Sequence, residues 1–355
     1  MKRKSLSAKT IIPRSFKFKK ILKDKKIFES FKNFEKDFKN LKNINKVLVA
    51  VSGGPDSMAL CFLLSCYMHK NKSIKPLFCL VDHGLRQGSA REALIVKKQL
   101  NLKNINLKIL KWKGLKPNSN LQSIARQKRY EILFNECRKY KINTILTAHH
   151  KDDLYETFFS RLLRGSGTEG LSSFAELQKK FIFKGNTFIV ARPLLNFTKQ
   201  SLIYIAKNVF DYYVDDPSNE MDKFQRIRLR RLILNFKKQG LDFDKLQLTI
   251  KNLSSSNKAI NEIMHKNIAD NVASYKSKYV IGPKFFLYPE EIVFRSLSKL
   301  IKKISKKDYP PRGKKIINIT KEIKKNKKFK ATLGGTIIEK IHNSVLLTQE
   351  RTKIR

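Results

Sequence analysis

Residues 47–64 constrain this chain more than any other stretch, because few local structures suit them. Val47 to Val51 is a wholly apolar, largely β-branched run, as expected of a strand covered on both faces of a parallel sheet. Met58 to Leu64 is apolar nearly all round, the mark of a buried helix, and Asp56 or Ser57 is placed to cap it. Between them lies Ser52-Gly53-Gly54-Pro55. Two glycines let the backbone turn sharply and approach a ligand, and the free N–H groups of a helix N-terminus favour an anion. The expected unit is a strand, a phosphate-holding turn and a helix.

The common ATP-binding turn ends in Gly-Lys-Ser/Thr, with the Lys on the outer phosphates. Here the corresponding position carries a carboxylate, Asp56. An acid beside a polyphosphate is repulsive unless a divalent cation lies between them, so Mg²⁺ bridging Asp56 to ATP is expected. The hexapeptide Ser-Gly-Gly-Pro-Asp-Ser resembles the PP-loop of the ATP pyrophosphatases, which transfer AMP to a substrate and release pyrophosphate. A plain strand-to-helix turn would account for one glycine and the cap, not for the whole hexapeptide.

Further apolar strand candidates fall at 77–82, 106–112 and 144–148, separated by helical segments. That alternation predicts an α/β fold, a doubly wound and mostly parallel sheet. Ligands in such sheets bind beyond the strand C-terminal ends, and three polar clusters fall there: Ser52–Ser57, Asp82-His83-Gly84-Leu85-Arg86, and His149-His150-Lys151-Asp152-Asp153. Their convergence predicts an active site.

With Lys+Arg 76 against Asp+Glu 29, the formal net charge is +47, which points to a polyanionic partner, nucleic acid above all. Lys greatly outnumbers Arg, so compositional bias inflates the figure without removing the surplus. Cys61, Cys66, Cys79 and Cys137 sit in apolar patterns with no Cys-x-x-Cys, as reduced core residues of a cytoplasmic protein would. No apolar run approaches the ~20 residues of a membrane span.

Four parts are expected: a flexible basic arm at 1–26, a catalytic domain at 27–225, a helical RNA-binding region at 226–288 and a small α+β domain at 289–355. Phe28 to Leu41 has helical spacing. Residues 164–173 read as a glycine-rich loop, 181–195 as two short strands, and Thr198 to about Phe210 as a helix. Asp215 to Asn219 breaks the chain ahead of Arg226, Arg228, Arg230 and Arg231, basic residues of an amphipathic helix expected to bind RNA. Helices are expected at 257–275 and 289–305, strands at 329–338 and 344–348, and a bulge or turn rather than a phosphate loop at Gly334-Gly335.

Asp82 and His83 end a buried strand where an ATP ribose, base or phosphate can be gripped; alone, His83 can equally well hydrogen-bond its loop. Gln122, Arg126 and Arg129 share one helix face. His149 and Asp152-Asp153 can be read as a transition-metal site, but with a magnesium nucleotide implied, a second carboxylate for Mg²⁺ or a substrate ammonium is preferred.

Together with Ala125-Arg126, Arg129-Tyr130, Glu156-Thr157, Arg164-Gly-Ser-Gly167, Arg192-Pro-Leu-Leu195 and Asp216-Pro-Ser-Asn219, these motifs resemble the tRNA(Ile)-lysidine synthases over about 46–231, and Leu333-Gly-Gly-Thr336 is similar to that family's C-terminal domain. Leu154 departs from the family's usual Gln. The resemblance implies ATP-dependent adenylation of the wobble cytidine of the isoleucine tRNA with a CAU anticodon, then attack by L-lysine. It places Mg²⁺ on Asp56 and Asp153, and pyrophosphate on Ser52, Gly53, Gly54, Pro55 and Ser57. Arg126 is expected at the developing charge, and His149 with Asp153 at adenylation or lysine attack. A homodimer is open; no membrane is involved. Two competitors are a tRNA thiolase of the PP-loop class, which would need cysteines to carry sulfur, and a non-catalytic RNA-binding protein, which would not explain three converging polar clusters.

Overall fold

A computed structural model describes residues 18–41, 44–71, 74–114, 121–210, 212–214, 225–275, 278–305 and 311–350. The chain forms two compact units, 1–250 and 251–355. Most of the stretch read as a basic arm, and the chain break at 215–219, lie outside the described residues.

The first unit opens with α1 (Phe18–Ile21) and α2 (Lys25–Lys39). The Asp24 carboxylate accepts from the Ile27 N–H at 3.1 Å and caps α2, an interaction typically worth about 1 kcal/mol. Ile27, Phe31, Phe34 and Phe38 form its buried stripe, as the phenylalanine spacing predicts. There follow β1 (Lys46–Val51), α3 (Pro55–Lys70), β2 (Lys75–Asp82), α4 (Ser89–Asn101), β3 (Leu107–Lys111), α5 (Leu121–Tyr140), β4 (Thr144–Leu146), α6 (Lys151–Leu162), α7 (Thr168–Ser172), β5 (Gln178–Phe183), β6 (Asn186–Ala191), α8 (Lys199–Phe210) and α9 (Gln225–Lys238).

Among the described residues, six strands make one sheet in the order β3-β2-β1-β4-β6-β5. Every pair is parallel except β5–β6, a hairpin closed through Lys184-Gly185. The expected α/β doubly wound, mostly parallel sheet is therefore present. One face packs on α3 and α8: Met58 to Leu64 of α3 are all buried, so its apolar circumference marks a central helix. The other packs on α5 through Leu133, Phe134 and Cys137 against Leu48, Ile145, Phe188 and Val190. Truncating a buried phenylalanine such as Phe134 typically costs about 3–5 kcal/mol.

Three local expectations are corrected. Neither Asp56 nor Ser57 caps α3; the helix starts at Pro55 after Gly54, so both lie in its first turn. The glycine-rich stretch 164–173 is not all loop, because Thr168–Ser172 closes one helical turn on the Gly167 carbonyl. The helix expected at 257–275 begins far earlier, as α10 (Phe243–Asn271), and its last residues are instead β7 (Val272–Tyr275).

The second unit continues with β8 (Lys278–Ile281), α11 (Glu290–Ser305), α12 (Gly313–Lys325), β9 (Phe329–Leu333), β10 (Thr336–Ile341) and β11 (Ser344–Gln349). Its sheet, β7-β8-β11-β10-β9, is antiparallel and covered by the apolar faces of α11 and α12. Gly334-Gly335 is the two-residue turn between β9 and β10, both glycines at positive φ, as a tight hairpin needs. No helix among the described residues is long and apolar enough to cross a membrane.

Candidate active site

The turn after β1 is held by one hydroxyl. Ser57 Oγ accepts from the N–H groups of Ser52 and Gly53, each at 3.1 Å, and donates to the Gly54 carbonyl at 3.0 Å. Those N–H groups therefore converge on a point occupied by an oxygen. Gly53 has φ +86°, and a Cβ there would lie 2.7 Å from Val96 Cγ2 and 3.0 Å from Val214 Cγ2, so α4 and the 212–214 segment close on bare backbone. Its carbonyl accepts from the Val214 N–H at 2.9 Å.

Asp56 points from the first turn of α3 toward the end of β4. His150, buried at the start of α6, places Nε2 3.7 Å from Asp56 Oδ1 and 3.6 Å from Asp153 Oδ2. Asp153 also accepts from the His150 N–H at 3.0 Å, which orients it at the helix start. The two carboxylates assigned to metal thus flank one imidazole nitrogen. Lys199, the first residue of α8, brings its ammonium to 2.7 and 2.8 Å from the Asp56 oxygens. Among the described residues no group of three or more His, Cys, Asp or Glu could hold a metal ion unaided. A pair of carboxylates fits Mg²⁺, which takes one or two from protein and the rest of its ligands from phosphate and water.

His149 makes a separate set of contacts. Its Nδ1 lies 2.8 Å from Thr147 Oγ1 and its ring meets Phe174 edge-on at 5.3 Å. Burial keeps its pKa well below the ordinary value, Asp153 opposing and the Arg192 and Arg126 charges reinforcing the effect, so the imidazole is neutral. Arg126 is exposed, with its guanidinium 5.4 Å from the Tyr130 ring centroid.

Asp82 and His83 are occupied locally. The Asp82 carboxylate accepts from Gly84 N at 3.0 Å and Ser89 Oγ at 2.8 Å, shaping the turn into α4. His83 accepts from Arg129 Nε at 3.3 Å and meets Trp112 edge-on at 5.8 Å. Leu154 is buried, and so is Glu156, which accepts from Arg230 Nε at 2.5 Å. Arg230 therefore ties α9 to α6. Arg228 and Arg231 are exposed on α9, and Arg226 lies in its first turn.

Sequence reasoning missed His150, Lys199 and Arg192 as site residues. His150 had the signal of adjoining His149 at a strand end. Arg192 stood in a quoted motif without a role. Lys199 gave no signal, because only the packing of α8 on α3 brings it to Asp56.

A family model for the PP-loop domain matches residues 24–236. The tRNA(Ile)-lysidine synthase of Wolbachia sp. subsp. Brugia malayi is 35% identical over 321 residues, 88% of this chain and 72% of that protein. The one from Rickettsia typhi is 31% identical over 329 residues, 90% of this chain and 74% of that protein. Among solved structures, the U34-tRNA thiolase NcsA from Methanococcus maripaludis, with its 4Fe-4S cluster, superposes with a TM-score of 0.54 at 18% identity, covering 67% of this chain and 79% of that one. That likeness establishes the fold alone. With its PP-loop turn, its paired carboxylates and relatives alike over most of their length, the chain belongs to the tRNA(Ile)-lysidine synthase family of PP-loop enzymes.

Proposed function

We propose that this enzyme joins L-lysine to C2 of the wobble cytidine, position 34, of the isoleucine tRNA with a CAU anticodon, spending ATP and releasing AMP and pyrophosphate. The observation that carries the reading is the meeting of Asp56 and Asp153 around His150 beside the PP-loop turn. A cytidine oxygen is a poor leaving group, so an amine can displace it only after it is esterified to AMP.

Cytidine O2 attacks the α-phosphorus of ATP and pyrophosphate departs. The neutral amine of lysine then attacks C2 and expels AMP, and its proton passes to a base. The backbone of Ser52, Gly53 and Gly54 cradles the departing pyrophosphate, with Ser57 giving way from the point where their N–H groups converge. Asp56 and Asp153 are the residues that would hold Mg²⁺, which offsets phosphate charge. In the present arrangement the Lys199 ammonium neutralises Asp56. Arg126 faces the developing phosphate charge, and His149, kept neutral, serves adenylation or lysine attack as a hydrogen-bonding group rather than as the proton's acceptor. Asp152 and Asp153 make a cationic amino acid tolerable in a strongly cationic protein. Arg226, Arg228 and Arg231 offer α9 to RNA phosphates.

Mass spectrometry of nuclease-digested tRNA tests this. A cytidine heavier by lysine minus water, formed with lysine but not ornithine and lost when the wobble base is U, is the expected product. A sulfur-sized increment or an unmodified cytidine overturns the reading.

A further inference from the structure

The far end of the same sheet edge carries charge that the chemistry above does not use. Arg192, directly after β6, is 5% exposed. Its NH1 donates to the carbonyls of Glu176 at 3.0 Å and Phe174 at 3.4 Å, and its guanidinium carbon lies 4.2 Å from the Phe174 ring centroid. Its Nε is buried with no hydrogen-bond partner among the described residues. Gln178 Nε2 is in the same condition, and Gln178 pairs with Ala191, the residue before Arg192. A buried guanidinium donor is costly unless something accepts from it.

The charges nearby sharpen the point. Lys179 is half-buried, and burial together with the Arg192 and Arg161 charges lowers its pKa; burial and the Arg126 and Arg161 charges lower that of Arg192. Arg161 donates to the Gly170 carbonyl and Ser173 Oγ, neutral partners. Among the described residues no carboxylate forms a direct ion pair with Arg126, Arg161, Lys179 or Arg192, although Glu176 opposes the shifts of Lys179 and Arg192, and Glu169 that of Lys179. Cations gathered with no carboxylate in direct contact are a site for an anion.

We infer that Arg192 and Lys179 bind a backbone phosphodiester of the RNA substrate beside the nucleotide that is modified. The inference rests on the function proposed above. ATP phosphates belong at the β1 turn, and β6, which leads into Arg192, lies two strands away from β1, about 10 Å at ordinary strand spacing. Lysine, a net cation, is repelled by four positive charges, whereas an RNA backbone supplies the anion they lack. His149 and Arg192 both lie against the Phe174 ring, so the proposed anion site adjoins a residue assigned to the reaction.

A tRNA assembled with a single methylphosphonate, neutral in place of one phosphate, on the 5′ or the 3′ side of the wobble cytidine tests this against the full-length protein. At one of the two positions the neutral linkage should weaken wild-type binding about tenfold or more. Lys179→Met and Arg192→Met should weaken all-phosphate tRNA comparably, lose that sensitivity to the linkage, and leave KM for ATP and for lysine within twofold. Non-additivity of this kind is the signature of groups in contact. Lys179→Met, half-buried on an edge strand, keeps the test decisive if Arg192→Met fails to fold, as its melting temperature will show. Variants that stay as sensitive to the linkage as wild type, a loss that falls on ATP or lysine instead, or a wild type indifferent to both linkages would overturn the inference. A wild-type protein that modifies no tRNA would overturn the proposed function itself.

Discussion

The dipeptide Gly-Gly ends a strand twice in this protein, after β1 and after β9, and the two copies share more than sequence. Gly53 and Gly334 both have positive φ, +86° and +65°, and a Cβ on either would come within 2.7 Å of a neighbour, Val96 Cγ2 in one case and Pro311 Cγ in the other. What differs is the next residue. Gly54 has φ −70° and leads into α3, so the turn presents N–H groups at the start of a buried helix. Gly335 has φ +89° and returns the chain into β10, so its turn presents nothing of the kind. Glycine supplies the turn in both places; only the element that follows decides whether the turn can hold an anion.

The largest effect expected from this contrast is at Asp56, which only the first turn possesses. Asp56→Ala should lower pyrophosphate release about a thousandfold, several kcal/mol of lost charge stabilisation, while tRNA affinity changes less than threefold. Retention of more than a tenth of wild-type turnover would break the assignment. Next comes the pair of glycine substitutions. Gly53→Ala should destabilise the fold by about 2–4 kcal/mol and reduce kcat/KM for ATP at least tenfold. Gly334→Ala should cost about 1–3 kcal/mol in denaturant titrations and leave kcat/KM for ATP unchanged. Equal effects on ATP use would erase the distinction between the turns.

The smallest effect concerns acid. The unfolded chain protonates His149 near its ordinary value of 6.5 while the folded protein keeps it neutral to much lower pH, so the unfolded state binds more protons below that point. Stability from this group is present above pH 6.5 and is lost as pH falls. His149→Gln should flatten the fall in stability between about pH 6 and 4 by at most ~1.4 kcal/mol per pH unit, one proton's worth. An unchanged slope would show that His149 is not held neutral.

The parallel sheet was legible because its central strand, 47–51, is an unbroken apolar run and apolar-rich stretches recur at about 30-residue intervals, and α2 because its phenylalanines repeat at helical spacing. The second unit was less so. Lys278–Ile281 and Val272–Tyr275 are four residues each, and five of the eight are exposed, so neither a long apolar run nor a clean alternation marks them. α12 did carry a signal, Ile316, Ile319 and Ile323 on one face, hidden among lysines. Within the site, motifs located Asp56, His149 and Asp153, each adjoining a strand or a helix start. Lys199 reaches Asp56 across 143 residues of chain, and no pattern local to either predicts that. Arg230 was assigned to RNA on charge alone, and its pairing with Glu156 depends on how α9 lies on α6.

The four thiols bear on how the protein can be handled and studied. Cys61, Cys66, Cys79 and Cys137 are all free and buried, and burial pushes each thiol up, Cys79 and Cys137 to about 12. A thiol reacts as its thiolate, so at neutral pH the native protein is close to inert toward maleimides, iodoacetamide and mild oxidants. A single cysteine introduced on an exposed face would then be the one reactive sulfur, giving a site-specific fluorophore or cross-linker without first removing the natural four.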